Sequence, residues 1–324
     1  MIRAGIIGGS GYTGGELIRL LLGHPGVRLE FVFSHTRAGK PLHHAHPDLL
    51  GRTDLCFTDQ ADPKADVVFL CLGHGNSGKF LSKWEFSKET RIIDLSNEFR
   101  LETSDSFRDR RFIYGLPEYQ KKAIKNARNI ANPGCFATAI QLALLPLASK
   151  KLLRDTVHVN AITGSTGAGA GLSETTHFSW RNNNISWYKP FTHQHLGEVL
   201  QTLESLQTEK PELLFLPNRG NFSRGIFATA YTHFNGSLEE AKELYTNYYK
   251  DARFTVISDN PPTLKQVVNT NWAHLHLHKH EEVLLITSVI DNLLKGASGQ
   301  AVQNMNLMFG IPEETGLELK GIGF

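Results

Sequence analysis

The stretch Asn132-Pro133-Gly134-Cys135-Phe136-Ala137-Thr138 holds the residue best placed for chemistry in this chain. A polar Asn-Pro-Gly turn delivers a cysteine, and an apolar run (Ala139, Ile140, Leu142, Ala143, Leu144, Leu145) follows at once. The run is long enough for a helix, expected to break near Pro146. Cys135 then falls in the first helical turn, where the amides lack internal partners and the helix dipole is positive. Both effects favour a thiolate. A cysteine in that position is an activated nucleophile, rather than the small buried hydrophobe that cysteine otherwise makes. It needs a partner that keeps it charged and moves a proton. His193 and His195, followed by Glu198, are the candidates. Two histidines two residues apart are not expected to face one site from a strand or helix junction.

A second motif lies at the start. Ile2 to Ile7 reads as a strand, Gly9-Ser10-Gly11-Tyr12-Thr13-Gly14 fits G-x-G-x-x-G, and Glu16 to Leu22 reads as a helix. Between a first strand and a helix, that pattern makes a tight turn that brings a helix N-terminus against a pyrophosphate. Gly8, Ser10, Gly11, Tyr12, Thr13 and Gly14 are the dinucleotide candidates. The next strand, Leu29 to Phe33, ends in Ser34 and not in the acid that would hold NAD ribose hydroxyls. Arg37 and Lys40 follow, and a hydroxyl with two cations suits a 2′-phosphate, so NADP(H) is the expected cofactor. Asp66 to Leu72 is a buried strand whose end, Gly73-His74-Gly75-Asn76, should also line the cofactor cleft. Arg91 to Ser96 is a further strand.

The second half reads differently. Val157 to Thr163 is a strand running into Gly164-Ser165-Thr166-Gly167-Ala168-Gly169-Ala170-Gly171, small residues that admit a ligand close to backbone. Leu213 to Leu216, Gly225 to Phe234 and Val283 to Ile290 are strands, Leu238 to Tyr249 is an amphipathic helix, and Gly296 to Leu307 looks helical. The fold class is therefore α/β: a Rossmann-type domain with a second, α+β domain on a mixed sheet. His274, His276, His278 and His280 alternate along a strand and read as its wet face, with the leucines inward. They, and the loop histidines His43, His44 and His46, are not expected to bind metal.

Composition bounds the rest. A chain of 324 residues exceeds one core. A formal charge of +2 makes no case for nucleic acid or an anionic membrane. Three cysteines without metal spacing, no secretory pattern after Met1 and no apolar stretch of membrane length suggest a reducing, cytoplasmic setting.

In order along the chain, GGSGYTGGEL (Gly8–Leu17), DLSNEFR (Asp94–Arg100), YGLPE (Tyr114–Glu118), NPGCFAT (Asn132–Thr138), GSTGAGA (Gly164–Ala170), HQHLGE (His193–Glu198) and DNLLKGASGQAVQNMNL (Asp291–Leu307) resemble the N-acetyl-gamma-glutamyl-phosphate reductases of arginine biosynthesis, within the aspartate-semialdehyde dehydrogenase group. The resemblance implies NADPH-dependent reduction of an N-acyl-γ-glutamyl phosphate to the semialdehyde, with release of phosphate, through a thioester on Cys135. It implies a discontinuous NADP-binding domain (residues 1–134 and 296–324) around a catalytic and dimerisation domain (135–295), and a homodimer or homotetramer acting on a small molecule. By the family pattern His193 is the acid–base catalyst, and Asn292 and Gly167 serve the cofactor. Arg100, Arg224, Ser165, His195 and Glu198 serve the substrate. Asn218 to Ser223 exceed the family pattern and leave Arg219 and Arg224 open. An aspartate-semialdehyde or aminoadipyl-phosphate reductase, and a non-catalytic nucleotide sensor, remain the alternatives; an intact Cys135 and His193 argue against the sensor.

Overall fold

The computed structural model describes residues 1–324, which divide into two compact units. Unit 1 comprises Met1–Pro133 and Ala297–Glu318; unit 2 comprises Gly134–Gly296 and Leu319–Phe324. The last six residues thus group with unit 2, where the sequence reading had placed them in the nucleotide-binding domain. Two backbone bonds hold them, Ile322 N–H to Val268 O and Gly323 N–H to Lys265 O. No helix is long and apolar enough to cross a membrane.

Unit 1 begins β1 (Ile2–Ile7), α1 (Tyr12–Leu22), β2 (Val27–Phe33), β3 (Phe57–Thr58), β4 (Val67–Leu70), α2 (Ser77–Lys83) and β5 (Arg91–Asp94). A short hairpin, β6 (Ser106–Phe107) and β7 (Arg110–Arg111), precedes β8 (Ile113–Tyr114), α3 (Pro117–Asn126) and β9 (Asn129–Ala131). Seven strands form one wholly parallel sheet in the order β3-β2-β1-β4-β5-β9-β8. The order reverses between β1 and β4, so both strand ends open on a switch point where open α/β sheets bind ligands. The central strand β4 is fully buried; Val67, Val68, Phe69 and Leu70 have no exposed surface. Continuous apolar runs of this kind mark a sheet covered on both faces.

Unit 2 contains α4 (Cys135–Ser149), β10 (Val157–Thr163), α5 (Phe178–Arg181), β11 (Ser186–Trp187), α6 (His195–Leu206), β12 (Leu213–Arg219) and β13 (Ile226–His233). It continues with α7 (Leu238–Tyr249), β14 (Thr255–Ile257), α8 (Leu264–Val267), β15 (Ala273–His280) and β16 (Val283–Ile290). The sheet is mixed, in the order β11-β12-β10-β13-β16-β15-β14. On β15 Leu275 and Leu277 are buried and His276 Nδ1 meets Ser258 O at 2.9 Å, so the histidines stand on the opposite face. No group of three or more His, Cys, Asp or Glu side chains is arranged to hold a metal ion. The closing helix α9 (Ser298–Met308) belongs to unit 1 and packs on α1 and α3.

One helix is longer than its sequence suggested. α4 does not break at Pro146 but runs three residues past it. Proline has no N–H to give the carbonyl four residues back, which is Leu142. Here Tyr249 Oη donates to Leu142 O at 2.6 Å, and Tyr245 Oη donates to Ala143 O at 2.5 Å. Both tyrosines come from α7, more than a hundred residues away. Every residue of α4 from Phe136 to Ala148 is buried, so water could not have supplied those donors. Tyr249→Phe should leave a buried carbonyl short of a partner and cost ~1–3 kcal/mol. Urea unfolding measures it; a loss within error would show that α4 tolerates Pro146 unaided.

Candidate active site

In unit 1 the glycine turn is held against the end of β2. Gly8 has φ +80°, and its N–H and that of Gly9 both donate to Phe33 O, pinning the turn to the end of β2. A Cβ at Gly9 would lie 2.1 Å from Val32 Cγ1, and one at Gly14 would lie 2.6 Å from Gly9 Cα. These two glycines are required by packing. Gly11 is different: a Cβ there meets nothing nearer than Gly8 O at 4.0 Å. Its face opens to the outside, where a ligand can approach the backbone. No side chain caps α1, and its first turn carries no acid. The residues present therefore fit a dinucleotide pyrophosphate. Ser34, just past β2, lies 3.4 Å from Ser10 between hydroxyl oxygens. Arg37 is exposed on the following turn, its Nη1 donating a long bond, 3.4 Å, to His44 O. Gly73, exposed beyond β4, has its carbonyl taken by the Asn76 backbone and side-chain amides.

In unit 2, α4 opens at Cys135 with Gly134 as its N-cap. Glu198 Oε2 accepts the Gly134 N–H at 2.9 Å, and Glu198 is only 2% exposed. The His195 ring lies flat on Gly134; a Cβ there would come within 2.4 Å of His195 Nε2. His195 Nε2 stands 4.0 Å from Glu198 Oε1. On another side Gly296 lies so close that a Cβ on it would sit 2.7 Å from Cys135 Cβ.

The two histidines share one site, contrary to the expectation from their spacing. The turn entering α6 brings their rings to 4.6 Å, edge to face, and the His195 N–H donates to His193 Nδ1 at 3.2 Å. That bond makes Nδ1 the acceptor, so neutral His193 carries its proton on Nε2. His193 is walled by Phe136, Tyr188 and Phe215. Burial first, then the charges of Lys189 and Arg219, push its pKa down to about 4. His195, not His193, is the ring packed on the residue before Cys135 and facing the carboxylate. Tyr188 was missed by the sequence reading, since a lone aromatic in a loop gives no signal. Its hydroxyl is pushed up to about 12 by burial and then by the charge of Cys135, and Arg219 lies 4.7 Å over its ring.

Other expected site residues have neighbours of their own. Arg224 forms an ion pair with the fully buried Asp291, at 3.1 Å from Nε and 3.0 Å from Nη2. Asp291 also accepts N–H bonds from Asn269, Leu293 and Leu294. Asn292 accepts the Gly225 N–H at 2.7 Å and donates to Thr166 Oγ1 at 3.0 Å. Ser165 and Gly167 lie on the short 3₁₀ turn Ser165–Ala168, which the segment 218–223 supports: Ser165 N–H donates to Phe222 O and Thr166 N–H to Ser223 O. In unit 1, Arg100 is buried and donates to Asn132 O (2.8 Å) and Leu95 O (3.0 Å). It braces the Asn132-Pro133 turn. Burial pushes the thiol of Cys71 up to about 12.

A parallel dinucleotide-binding sheet and a helix-opening cysteine beside a His–Glu pair define an oxidoreductase of the semialdehyde dehydrogenase class. Residues 3–127 match the family model described as semialdehyde dehydrogenase, NAD binding domain, and residues 135–292 match its dimerisation domain. The chain belongs to the N-acetyl-gamma-glutamyl-phosphate reductase family. It is 61% identical over 321 residues to the N-acetyl-gamma-glutamyl-phosphate reductase of Christiangramia forsetii, with 99% of each chain covered. It is 58% identical to that of Flavobacterium johnsoniae over the full length of both. The fold is that of aspartate semialdehyde dehydrogenase II from Vibrio cholerae, complexed with ASA (TM-score 0.70, 15% identity, 96% of this chain and 98% of that one). It is equally that of the Candida albicans enzyme with NADP (TM-score 0.70, 16% identity, 95% and 98%).

The depressed pKa of His193 has a consequence for stability. The folded state resists its protonation while the unfolded chain takes the proton near 6.5, so stability is full above pH 6.5 and is lost as pH falls toward 4. His193→Gln should flatten that acid limb. Urea midpoints at pH 7 and pH 4.5 test it; an identical drop in both proteins would assign the acid loss elsewhere.

Proposed function

We propose that this protein reduces an N-acyl-γ-glutamyl phosphate to the N-acyl-glutamate semialdehyde, with release of phosphate and with NADP(H) as cofactor. The observation that carries the reading is Cys135 at the start of α4, with Gly134 held by Glu198 and covered by His195. The helix start stabilises the thiolate. Cys135 Sγ attacks the acyl carbon, the S–C bond forms, the C–O bond to phosphate breaks, and a thioester remains on the enzyme. When bound, NADPH supplies the hydride. His195, oriented by Glu198, moves the proton, and the amides at the start of α4 offer donors to the oxyanion. His193 fixes the His195 backbone, and Tyr188 bounds the site beside the thiol. Among the arginines, Arg100 is proposed first for the substrate phosphate and Arg224, paired with Asp291, second. Unit 1 is the NADP-binding domain and unit 2 the catalytic and dimerisation domain. We place the protein in the cytoplasm, consistent with three free cysteines, as a homo-oligomer, consistent with the dimerisation-domain match of residues 135–292.

The test of the activity is phosphate-dependent oxidation of N-acetyl- and N-succinyl-glutamate semialdehyde, with aspartate and aminoadipate semialdehydes as controls. Turnover confined to either control would replace the substrate assignment.

Cys135→Ala should abolish turnover and leave the NADPH dissociation constant unchanged; substantial residual reduction would sink the thioester route. His195→Asn should cost ~10²–10⁴ in kcat, and His193→Asn should cost less. The reverse order would restore His193 as the acid–base group.

For the cofactor, Arg37→Ala should weaken NADPH at least ~10-fold while leaving NADH nearly unchanged, since a charge-assisted bond to the 2′-phosphate contributes ~1.5–3 kcal/mol. Dissociation constants for both nucleotides decide it: equal losses, or none, refute the assignment.

A further inference from the structure

We propose that His46 is a positioning residue for the cofactor, acting through the Gly9–Ser10 peptide, an inference that rests on reading unit 1 as the NADP(H)-binding domain. The sequence shows His46 only as one of three histidines in a loop, 37 residues beyond the glycine turn. In the structure it is nine-tenths buried, with Nε2 2.7 Å from Gly9 O. Its ring is wedged against α1, where a Cβ on Gly15 would lie 2.6 Å from both Cε1 and Nδ1. Phe57 tilts against the ring at 6.4 Å.

The consequence follows from peptide geometry. A carbonyl oxygen only accepts, so the bond makes His46 Nε2 the donor. A trans peptide is planar, with its C=O and the next N–H pointing in opposite directions. The chain has no cis peptide. A bond that fixes the Gly9 carbonyl toward His46 therefore fixes the Ser10 N–H away from it. The Gly8 and Gly9 amides are already turned to Phe33 O, and the Gly11 N–H is turned to Gly8 O at 3.4 Å. Ser10 is thus the residue of the turn whose amide direction depends on His46. Gly9, on the carbonyl side of this peptide, has no side chain to restrict its rotation, and the His46 donor holds it. Gly15 is spared a Cβ because the ring occupies that space.

The test uses the full chain and a readout separate from turnover. NADPH binding is measured by fluorescence titration. Adenosine 2′-phosphate, which has a 2′-phosphate and no pyrophosphate, serves as the second probe by competition. His46→Ala should weaken NADPH ~10-fold or more, as expected for losing an oriented donor to a charged group, and change adenosine 2′-phosphate less than ~2-fold. His46→Gln keeps an N–H donor at the position of Nε2 and should stay within ~3-fold of wild type for NADPH. Gly15→Ala, which keeps His46 but drives its ring off Gly9 and improves helix propensity, should weaken NADPH like His46→Ala. That variant decides the matter if His46→Ala does not fold. Wild-type NADPH affinity in His46→Ala or in a folded Gly15→Ala would overturn the proposal. So would equal weakening of the two probes, which marks a general collapse of the loop. Failure of the wild-type chain to bind NADPH would instead remove the cofactor reading itself.

Discussion

The Glu198 side chain has almost no exposed surface, and the start of α4 is arranged by what satisfies it. An unpaired buried charge costs far more than any single contact returns. Glu198 Oε2 is met by the Gly134 N–H at 2.9 Å, which fixes the backbone one residue before Cys135. It stands in the first turn of α6, where the helix dipole favours an anion. The ring of His195, from the same turn, then lies directly on Gly134, so position 134 has no room for a side chain. Glycine at 134, an acid at 198 and histidine at 195 are one constraint expressed three times. The cysteine inherits its position from them.

The same accounting separates the helix starts of unit 1. The first amides of α2, from Ser77 and Gly78, are taken by Glu98 Oε2 and Oε1 at 3.0 and 3.1 Å. A Cβ at Gly78 would lie 2.5 Å from Glu98 Oε1, so the acid is seated against the backbone. The start of α1 has no such acid and no side-chain cap. Buried helix starts normally find a partner. The chain thus spends a carboxylate on the helix start that is not meant for a ligand, and spares the one that is. The fit of α1 to a phosphate rests on this contrast as much as on the glycine spacing, which many β–α turns share.

What the sequence made legible was local. Helix α7 and strand β10 fall where their periodicity put them, because each sorts its own residues between core and solvent. The start of α4 at Cys135 was equally readable, since Asn-Pro-Gly followed by an apolar run is a signal within ten residues. Most of the departures come from partners distant in sequence. Pro146 stops a helix in isolation, but the Tyr249 hydroxyl from α7 supplies the missing donor to Leu142 O. The shared site of His193 and His195 depends on a turn that spacing rules for regular elements do not describe. Arg224 looked available for substrate because nothing near it in sequence announces Asp291, 67 residues on. The role of His46 was hidden for the same reason.

Cysteine shows how far position outweighs residue type. Cys71 lies at the end of β4, its carbonyl beneath Gly8 and its thiol raised to about 12 by burial; the bond to Thr13 recovers only part of that. Cys56 is exposed, with its thiol 3.8 Å from Asp54 O. Cys135 alone combines a helix start, partial exposure and a neighbouring imidazole. A thiol-alkylation assay therefore has to be run with Cys56 removed, because its exposure, not its chemistry, makes it compete. Residues 218–223 fit the same logic. Their first two residues close β12 and carry Arg219 over Tyr188, and the Phe222 and Ser223 carbonyls accept backbone bonds from the 165–168 turn. A segment whose backbone supports a site turn and whose arginine helps to keep His193 neutral cannot be trimmed without altering the electrostatics beside Cys135.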